Sequence, residues 1–225
     1  MTSTDLKTLR VLCIHGYRQN AEAFKGKIGS FRKIFKNKNV EFVFLNAPHE
    51  VPPIDTDGQN VTEEIPDQRG WWFCSEDKKF SGKTFCEKGI GFEESLNLVE
   101  ETFKTQGPFD GLLGFSQGAT LTALLAAHSQ NNPNSSIKFR FAILVAGFKS
   151  RCEAHGIYYK QKITYPTLQV MGETDNVIPR EMSEELAECF ENPTVLKHSG
   201  GHYVPATGQQ KPVYIEFVKK FYNDD

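Results

Sequence analysis

The chain has 225 residues, of which 39% are hydrophobic and 24% are charged, and its formal net charge is −2. These values are ordinary for a globular protein, and the length fits a single domain over residues 1–225. The sequence contains no basic or acidic block, which argues against nucleic acid or an anionic membrane as a partner. The first apolar run, residues 11–14, is too short for a signal peptide or a membrane span, so we expect a cytoplasmic protein.

The five cysteines are scattered, odd in number and without a C-x-x-C pair. Reduced thiols in the cytosol fit this pattern better than a disulfide framework or a zinc site. The cysteines therefore predict neither a disulfide nor a metal centre.

Strand and helix patterns alternate along the chain. The first half predicts, in order, a strand over residues 9–15, a helix over 21–36, a strand over 40–45, an irregular stretch over 47–70 and a helix over 92–105. The second half predicts a strand over 109–115, a helix over 117–129, a strand over 139–146, a long loop, a strand over 167–171, a helix over 180–190, a strand over 194–197 and a helix over 210–221. This order is typical of an α/β protein with a doubly wound, mostly parallel six-stranded sheet and helices on both faces. In such sheets the chemistry lies beyond the carboxyl ends of the strands.

Residues 114–118 read Gly-Phe-Ser-Gln-Gly and stand between a predicted strand and a predicted helix. In that context G-x-S-x-G predicts a nucleophile elbow, a tight turn that pushes the serine hydroxyl out of the sheet. The flanking glycines suit a turn that leaves little room for Cβ atoms. Ser116 is therefore the candidate nucleophile.

A serine hydroxyl needs a base to take its proton, and a histidine base needs an acceptor that orients it. On α/β-hydrolases these groups follow in the chain order serine, acid, histidine. Asp175 lies in a loop directly after a predicted strand, and His202 follows paired glycines after the next strand, so we assign them as the acid and the base. The rival residues are Glu173 and His198, and Asp175 has the alternative role of capping the helix that follows it.

An oxyanion formed during attack needs hydrogen-bond donors aimed at it. We expect one donor to be the backbone N–H of Gln117 and the other to be that of Tyr17, in the loop after the first strand. Gly16 permits a close approach there, and His15 is expected to be a structural hydrogen-bonding residue. Residues 198–202 also spell H-x-x-x-H, but the two intervening glycines argue against the helix that such a zinc site requires.

Aromatic residues near a nucleophile favour an apolar acyl group in the substrate. The candidates for substrate binding are Trp71, Trp72, Phe73, Phe148 and Tyr203. Packing in the core explains any one of them equally well, so both interpretations remain open.

The chain resembles the FSH family of serine hydrolases, and within it the animal ovarian-cancer-associated serine hydrolase-like esterases. The segments that carry the resemblance are residues 10–19, 69–73, 107–119, 172–175 and 198–202. The resemblance implies an α/β-hydrolase fold with little or no cap domain and carboxylesterase activity on acyl esters. It also implies that Ser116, Asp175 and His202 form the catalytic triad.

These observations predict a cofactor-free serine esterase that forms an acyl-enzyme on a small-molecule acyl ester, with medium- to long-chain alkyl esters preferred. An acyl-thioesterase would use the same residues on a thiolate leaving group. A non-catalytic binding protein of the same fold is the alternative from another class, although such proteins typically lose a triad residue. Oligomeric state cannot be derived from the chain.

Overall fold

The computed structural model describes residues 7–52 and 66–222. Its strands are β1 (Leu9–Ile14), β2 (Val40–Leu45), β3 (His49–Glu50), β4 (Arg69–Gly70), β5 (Gly111–Phe115), β6 (Phe141–Val145), β7 (Thr167–Gly172) and β8 (Thr194–His198). Six of them form a parallel sheet in the order β2-β1-β5-β6-β7-β8. The six predicted strands are therefore confirmed, with ends that differ by a few residues.

The helices are α1 (Ala21–Lys27), α2 (Gly29–Ile34), α3 (Phe92–Gln106), α4 (Gln117–Asn131), α5 (Arg180–Ala187) and α6 (Lys211–Lys219). A 3₁₀ helix, Glu153–Tyr159, lies in the long loop after β6 and was not predicted. None of the helices in the described ranges combines the length and apolarity needed to cross a bilayer.

The sheet carries helices on both faces, as predicted, because alternate side chains of each strand point to opposite sides. In β1, Leu12 and Ile14 pack with α3, α4 and α5. Val11 and Cys13 pack on the other face with α1, α2 and α6. Burying a large apolar side chain completely stabilises the folded protein by about 1.5–3 kcal/mol. The apolar clusters on the two faces of the sheet therefore hold the strands in fixed positions.

The prediction of one continuous helix over residues 21–36 is wrong. The structure divides it into α1 and α2 at Ile28, whose φ of −95° and ψ of 21° lie outside the helical range. Gly26 and Gly29 flank the break, and glycine is among the weakest helix formers. Phe24 and Phe31 still reach the core from the two short helices, which explains why the apolar spacing looked continuous.

The predicted irregular stretch also contains structure that was missed. β3 and β4 form a small antiparallel pair, while residues 53–65 lie outside the described residues. Further along, Phe73 and Ile90 pair in an isolated antiparallel bridge that closes a loop. We call residues 74–89, between these two, the strap.

The strap lies over the carboxyl ends of the strands. The Tyr17 hydroxyl, in the loop after β1, donates to the Lys78 carbonyl at 2.9 Å. The Lys83 ammonium donates to the carbonyl of Asn176, in the loop after β7, at 3.1 Å. The strap therefore spans the edge of the sheet where the predicted catalytic residues lie.

Candidate active site

Ser116 lies on a sharp turn between β5 and α4. Its φ of 54° and ψ of −120° belong to a strained conformation for a residue with a side chain. The backbone N–H of Ser116 donates to the Val145 carbonyl of the neighbouring strand at 2.9 Å, which holds the turn against the sheet. Ser116 is partly exposed, whereas the first residues of α4 behind it are buried.

The two glycines of the motif are required by close backbone contacts. A Cβ on Gly114 would lie 2.4 Å from the Gly118 carbonyl oxygen, and one on Gly118 would lie 2.2 Å from the Ile14 carbonyl oxygen. Both distances are far below a permissible contact, so strand, turn and helix pack this tightly only with glycine at both positions. This is the geometry that a nucleophile elbow requires.

Asp175 occupies the loop after β7 with its carboxylate fully used. Oδ1 accepts from the backbone N–H groups of Val177 and Ile178, each at 2.9 Å. Oδ2 lies 2.7 Å from Nδ1 of His202. Burial by itself raises the pKa of Asp175, but the hydrogen bonds from His202 and from the two backbone groups outweigh it and lower the pKa below its ordinary value. Asp175 is therefore an ionised acceptor at neutral pH.

His202 is oriented by Asp175 on one side and left open on the other. Its Nε2 makes no hydrogen bond within residues 7–52 and 66–222, and its side chain is 19% exposed. The imidazole lies 4.8 Å, between ring centroids, from Phe115, the residue before the nucleophile. The structure thus joins Asp175 to His202 and brings His202 beside the elbow, but it shows no hydrogen bond from the Ser116 hydroxyl to His202. Such catalytic contacts are often long in unliganded enzymes.

The rival residues occupy other environments. Glu173 is exposed to solvent. His198 is buried, its Nδ1 accepts from the Gly200 N–H at 3.2 Å, and burial lowers its pKa. In the described part of the chain, no group of three or more His, Cys, Asp or Glu residues is arranged to hold a metal ion.

The loop after β1 approaches the nucleophile closely. A Cβ built on Gly16 would lie 3.3 Å from the Cβ of Ser116. The Gly16 N–H is already used, because it donates to the side-chain oxygen of Gln19 at 2.9 Å. Across the described residues, by contrast, the backbone N–H groups of Tyr17 and Gln117 have no acceptor. Gln117 is also the first residue of α4, where the helix dipole favours negative charge.

His15 supports this loop through both ring nitrogens. Nε2 accepts from the Ala47 N–H at 3.0 Å, so Nδ1 carries the proton that it donates to the Gly16 carbonyl at 2.8 Å. Burial is the main cause that lowers the pKa of His15 to about 4. A neutral imidazole with both nitrogens occupied cannot serve as the base.

Four of the five aromatic candidates for substrate binding are buried. Trp71, Trp72, Phe73 and Phe148 are each at most 2% exposed, so in this conformation they pack as core residues. Tyr203 is 48% exposed, next to His202, and its ring lies 5.2 Å from that of His198.

Phe80, in the strap, was missed by the sequence analysis. Its partly exposed ring lies 5.3 Å from Tyr17, 5.4 Å from Trp72 and 6.1 Å from Phe148, between centroids. All three neighbours belong to segments that pack around the elbow. Phe80 stands among lysines and a glycine with no apolar periodicity, so only its position in the structure makes it a candidate for substrate binding.

The family model described as "Serine hydrolase (FSH1)" matches residues 1–213. The chain belongs to the FSH1 serine hydrolase family. It is therefore an enzyme of the serine hydrolase class, and the resemblance found in the sequence is confirmed.

Several curated relatives are named esterases. "Esterase CG5412" of Drosophila melanogaster is 50% identical over 211 residues, covering 94% of this chain and 74% of its own length. "Esterase OVCA2" of Danio rerio is 47% identical over 222 residues, covering 95% and 97%. "Esterase OVCA2" of Homo sapiens is 40% identical over 228 residues, covering 96% and 97%.

Solved structures show the same fold at low sequence identity. Esterase PE8 has a TM-score of 0.60 at 19% identity, with 96% of this chain and 94% of that chain covered. Acyl-protein thioesterase 2 of Zea mays has a TM-score of 0.60 at 18% identity, with 98% and 96% covered. The α/β-hydrolase domain-containing protein 10 from mouse has a TM-score of 0.58 at 13% identity, with the same coverage. The fold is therefore an α/β-hydrolase fold, as expected.

Proposed function

We propose that this serine hydrolase is a carboxylesterase in which Ser116, His202 and Asp175 act as the triad. The observation that carries the proposal is the imidazole of His202, bonded through Nδ1 to Asp175, open at Nε2 and lying against Phe115 at the elbow. A base needs one nitrogen held and the other free, and of His15, His198 and His202 only His202 combines that state with a position beside a strained serine.

The reaction follows from these roles. Ser116 Oγ attacks the ester carbonyl carbon while His202 Nε2 takes the hydroxyl proton, once substrate binding closes the remaining distance between the two groups. The C–O bond to the alcohol then breaks, and His202 returns the proton to the leaving alkoxide. Water then attacks the acyl carbon while His202 takes its proton, the bond between that carbon and Ser116 Oγ breaks, and His202 returns the proton to Oγ, which releases the acid and restores the serine. Asp175 stabilises the imidazolium at each stage.

The negative oxygen that forms during each attack needs donors that are already in place. We assign this role to the backbone N–H groups of Tyr17 and Gln117, which have no acceptor among residues 7–52 and 66–222. Tyr17 follows Gly16, which lies close to Ser116, and Gln117 follows Ser116 itself. Preorganised donors of this kind usually supply the largest electrostatic part of catalysis, because they need no reorientation during the reaction.

The acyl group is proposed to be a medium or long alkyl chain. Phe80 would contact it from the strap and Tyr203 from the loop of the base, because these aromatic side chains near the elbow retain exposed surface. Phe148, Trp71, Trp72 and Phe73 would support that surface from behind. An apolar chain gains about 0.8 kcal/mol for each CH₂ that it buries, which favours longer acyl groups.

The proposal is tested with Ser116→Ala. The wild-type enzyme should hydrolyse a series of alkyl esters and react with a fluorophosphonate probe, whereas the variant should lose labelling and about 10⁴-fold or more in kcat. Ser135→Ala is the matched control, since this serine lies beyond the far end of α4. Retained labelling and turnover in Ser116→Ala would overturn the assignment.

Esters and thioesters with the same acyl chain separate the two leaving groups. For each substrate, kcat/KM is divided by the rate of uncatalysed hydrolysis. For a carboxylesterase this ratio should be higher for the oxygen ester than for the thioester. A consistent preference for the thioester would overturn the esterase proposal in favour of the acyl-thioesterase alternative.

A further inference from the structure

The side chain of Gln117, the residue after the nucleophile, makes hydrogen bonds to a distant segment of the chain. It is fully buried, and its Oε1 accepts from the backbone N–H of Trp71 at 3.0 Å. Its Nε2 donates to the Trp72 carbonyl at 2.7 Å. A single amide therefore ties the first residue of α4 to a segment 45 residues away in the chain.

Trp71 continues this connection to the loop after β1. Its indole N–H donates to the His15 carbonyl at 2.7 Å, and its own carbonyl accepts from the Ser95 hydroxyl. The imidazole of His15 then holds the Gly16 carbonyl at 2.8 Å. An unbroken series of buried hydrogen bonds thus runs from the side chain of Gln117 to the peptide that precedes Tyr17.

The two residues at the ends of this series carry the two N–H groups assigned to the oxyanion. One is the backbone N–H of Gln117 itself, and the other is the N–H of Tyr17, which no strand or helix holds in place. We propose that Gln117 is a positioning residue whose side-chain amide, acting through Trp71, sets the separation of the two oxyanion donors. This inference rests on the proposed function.

The two hydrogen bonds of the Gln117 side chain suit an amide group. The site needs one acceptor for the Trp71 N–H and one donor for the Trp72 carbonyl, and glutamine offers both in a fixed geometry. Methionine has a similar shape and offers no strong partner for either group. Glutamic acid offers both only when it is protonated, because an ionised carboxylate accepts but cannot donate. Burial raises the pKa of a carboxyl group, so a glutamic acid at this position should be protonated at acidic pH and lose its proton as the pH rises.

The main test compares Gln117→Met with wild type on one alkyl ester, and uses Thr122→Val as the matched control. Thr122 is equally buried on the same helix, but its hydroxyl donates to the Gly118 carbonyl of that helix and, within the described ranges, bonds to no other segment. We expect Gln117→Met to lower kcat about 10- to 100-fold with KM within about twofold, because misplaced oxyanion donors act on the transition state. Thr122→Val should keep kcat within about twofold of wild type.

Coupling to Trp71 is measured with Trp71→Phe and the double variant. If both residues act through one series of hydrogen bonds, the double variant should lose no more than about threefold in kcat beyond the worse single variant. Losses that multiply would show that Gln117 does not act through Trp71, and would overturn that part of the proposal.

Gln117→Glu tests the inference within one folded protein. Its kcat relative to wild type should be highest at acidic pH, where the protonated acid makes both bonds, and should fall as the pH rises while circular dichroism stays constant. A kcat equal to that of wild type in Gln117→Met overturns the inference, as does a Gln117→Glu variant that is as impaired at acidic as at basic pH. If Gln117→Met does not fold, the pH profile of Gln117→Glu decides alone. A wild-type enzyme without ester turnover would instead mean that the proposed function fails.

Discussion

The two sides of the proposed catalytic centre differ in how firmly the chain is held. On the oxyanion side, residues 15–20 and 69–72, the side chain of His15 and the ring and backbone of Trp71 are all engaged in buried hydrogen bonds. On the acid–base side, residues 173–178 and 199–203, both carboxylate oxygens of Asp175 are bonded. Nε2 of His202, however, has no partner in the described part of the chain, and Tyr203 is exposed.

This difference fits the tasks that we propose for the two sides. Fixed dipoles work best when they need no reorganisation, so the proposed oxyanion donors gain from hydrogen bonds that hold the surrounding residues in place. Proton transfer requires a group that can both accept and release a proton, so the acid–base side must leave His202 incomplete. His15 and His202 are chemically identical and both follow strands of the same sheet. Their hydrogen-bond partners differ: both ring nitrogens of His15 are bonded, whereas Nδ1 of His202 is bonded to Asp175 and its Nε2 has no partner among the described residues, which fits the proposed role of His202 as the base.

The largest expected effect comes from breaking the acid–base side with Asp175→Asn. The amide oxygen can still accept from Val177 and Ile178, so the loop should keep its turn and the protein should still fold. The amide NH₂ then faces His202 and favours the wrong tautomer, which should lower kcat by about 10⁴-fold.

The control for this variant is Glu173→Gln, which changes the exposed rival carboxylate two residues earlier. Steady-state kinetics on one ester, with thermal unfolding of each variant, make the measurement. A large loss in Glu173→Gln together with an active Asp175→Asn would reverse the assignment of the acid.

We expect a smaller effect on the free energy of unfolding, to which His15 and Asp175 contribute in different pH ranges. The pKa of His15 is about 4 in the folded protein and 6.5 in its ordinary state, so the unfolded chain takes up the proton first as the pH falls. The stability due to neutral His15 is complete above about pH 6.5 and is lost toward pH 4, about 2 kcal/mol of it between pH 7 and 5. Asp175, whose folded pKa lies below 3.8, contributes stability that is lost only at more acidic pH.

The measurement is the free energy of unfolding from denaturant titrations at pH 7 and pH 5. His15→Gln should show a decrease that is about 2 kcal/mol smaller than the decrease in wild type, whatever its absolute stability. An unchanged pH dependence in His15→Gln would mean that His15 is not the buried neutral group described here.

The smallest expected effect concerns the strap, which is hydrogen-bonded to Tyr17 on one side and to Asn176 on the other. Phe80→Ala removes an aromatic surface from the proposed acyl site and should lower kcat/KM for long alkyl esters about 10-fold, while acetyl esters stay within about twofold. Phe85→Ala is the matched control, because this phenylalanine lies on the same strap but is 77% exposed. Equal losses on short and long esters would contradict a role of Phe80 in acyl recognition.

Local patterns in the sequence were sufficient to predict the strands and most helices. Alternation of apolar residues and the two glycines around Ser116 depend only on neighbours in the chain, so residues 114–118 could be assigned to an elbow before any contact was known. The break at Ile28 was missed because the apolar spacing continues across it.

The sequence by itself determined the order of the elements, the elbow at Ser116 and the choice of Asp175 and His202 as residues that follow strands. Only the tertiary structure decided that Asp175 reaches His202 and that Gln117 reaches Trp71, because those pairs are 27 and 46 residues apart. The burial of Trp71 and Trp72 and the position of Phe80 beside Tyr17 were also visible only in the tertiary structure. Contacts between distant segments depend on how helices and loops pack on the sheet, and no local pattern in the chain encodes that packing.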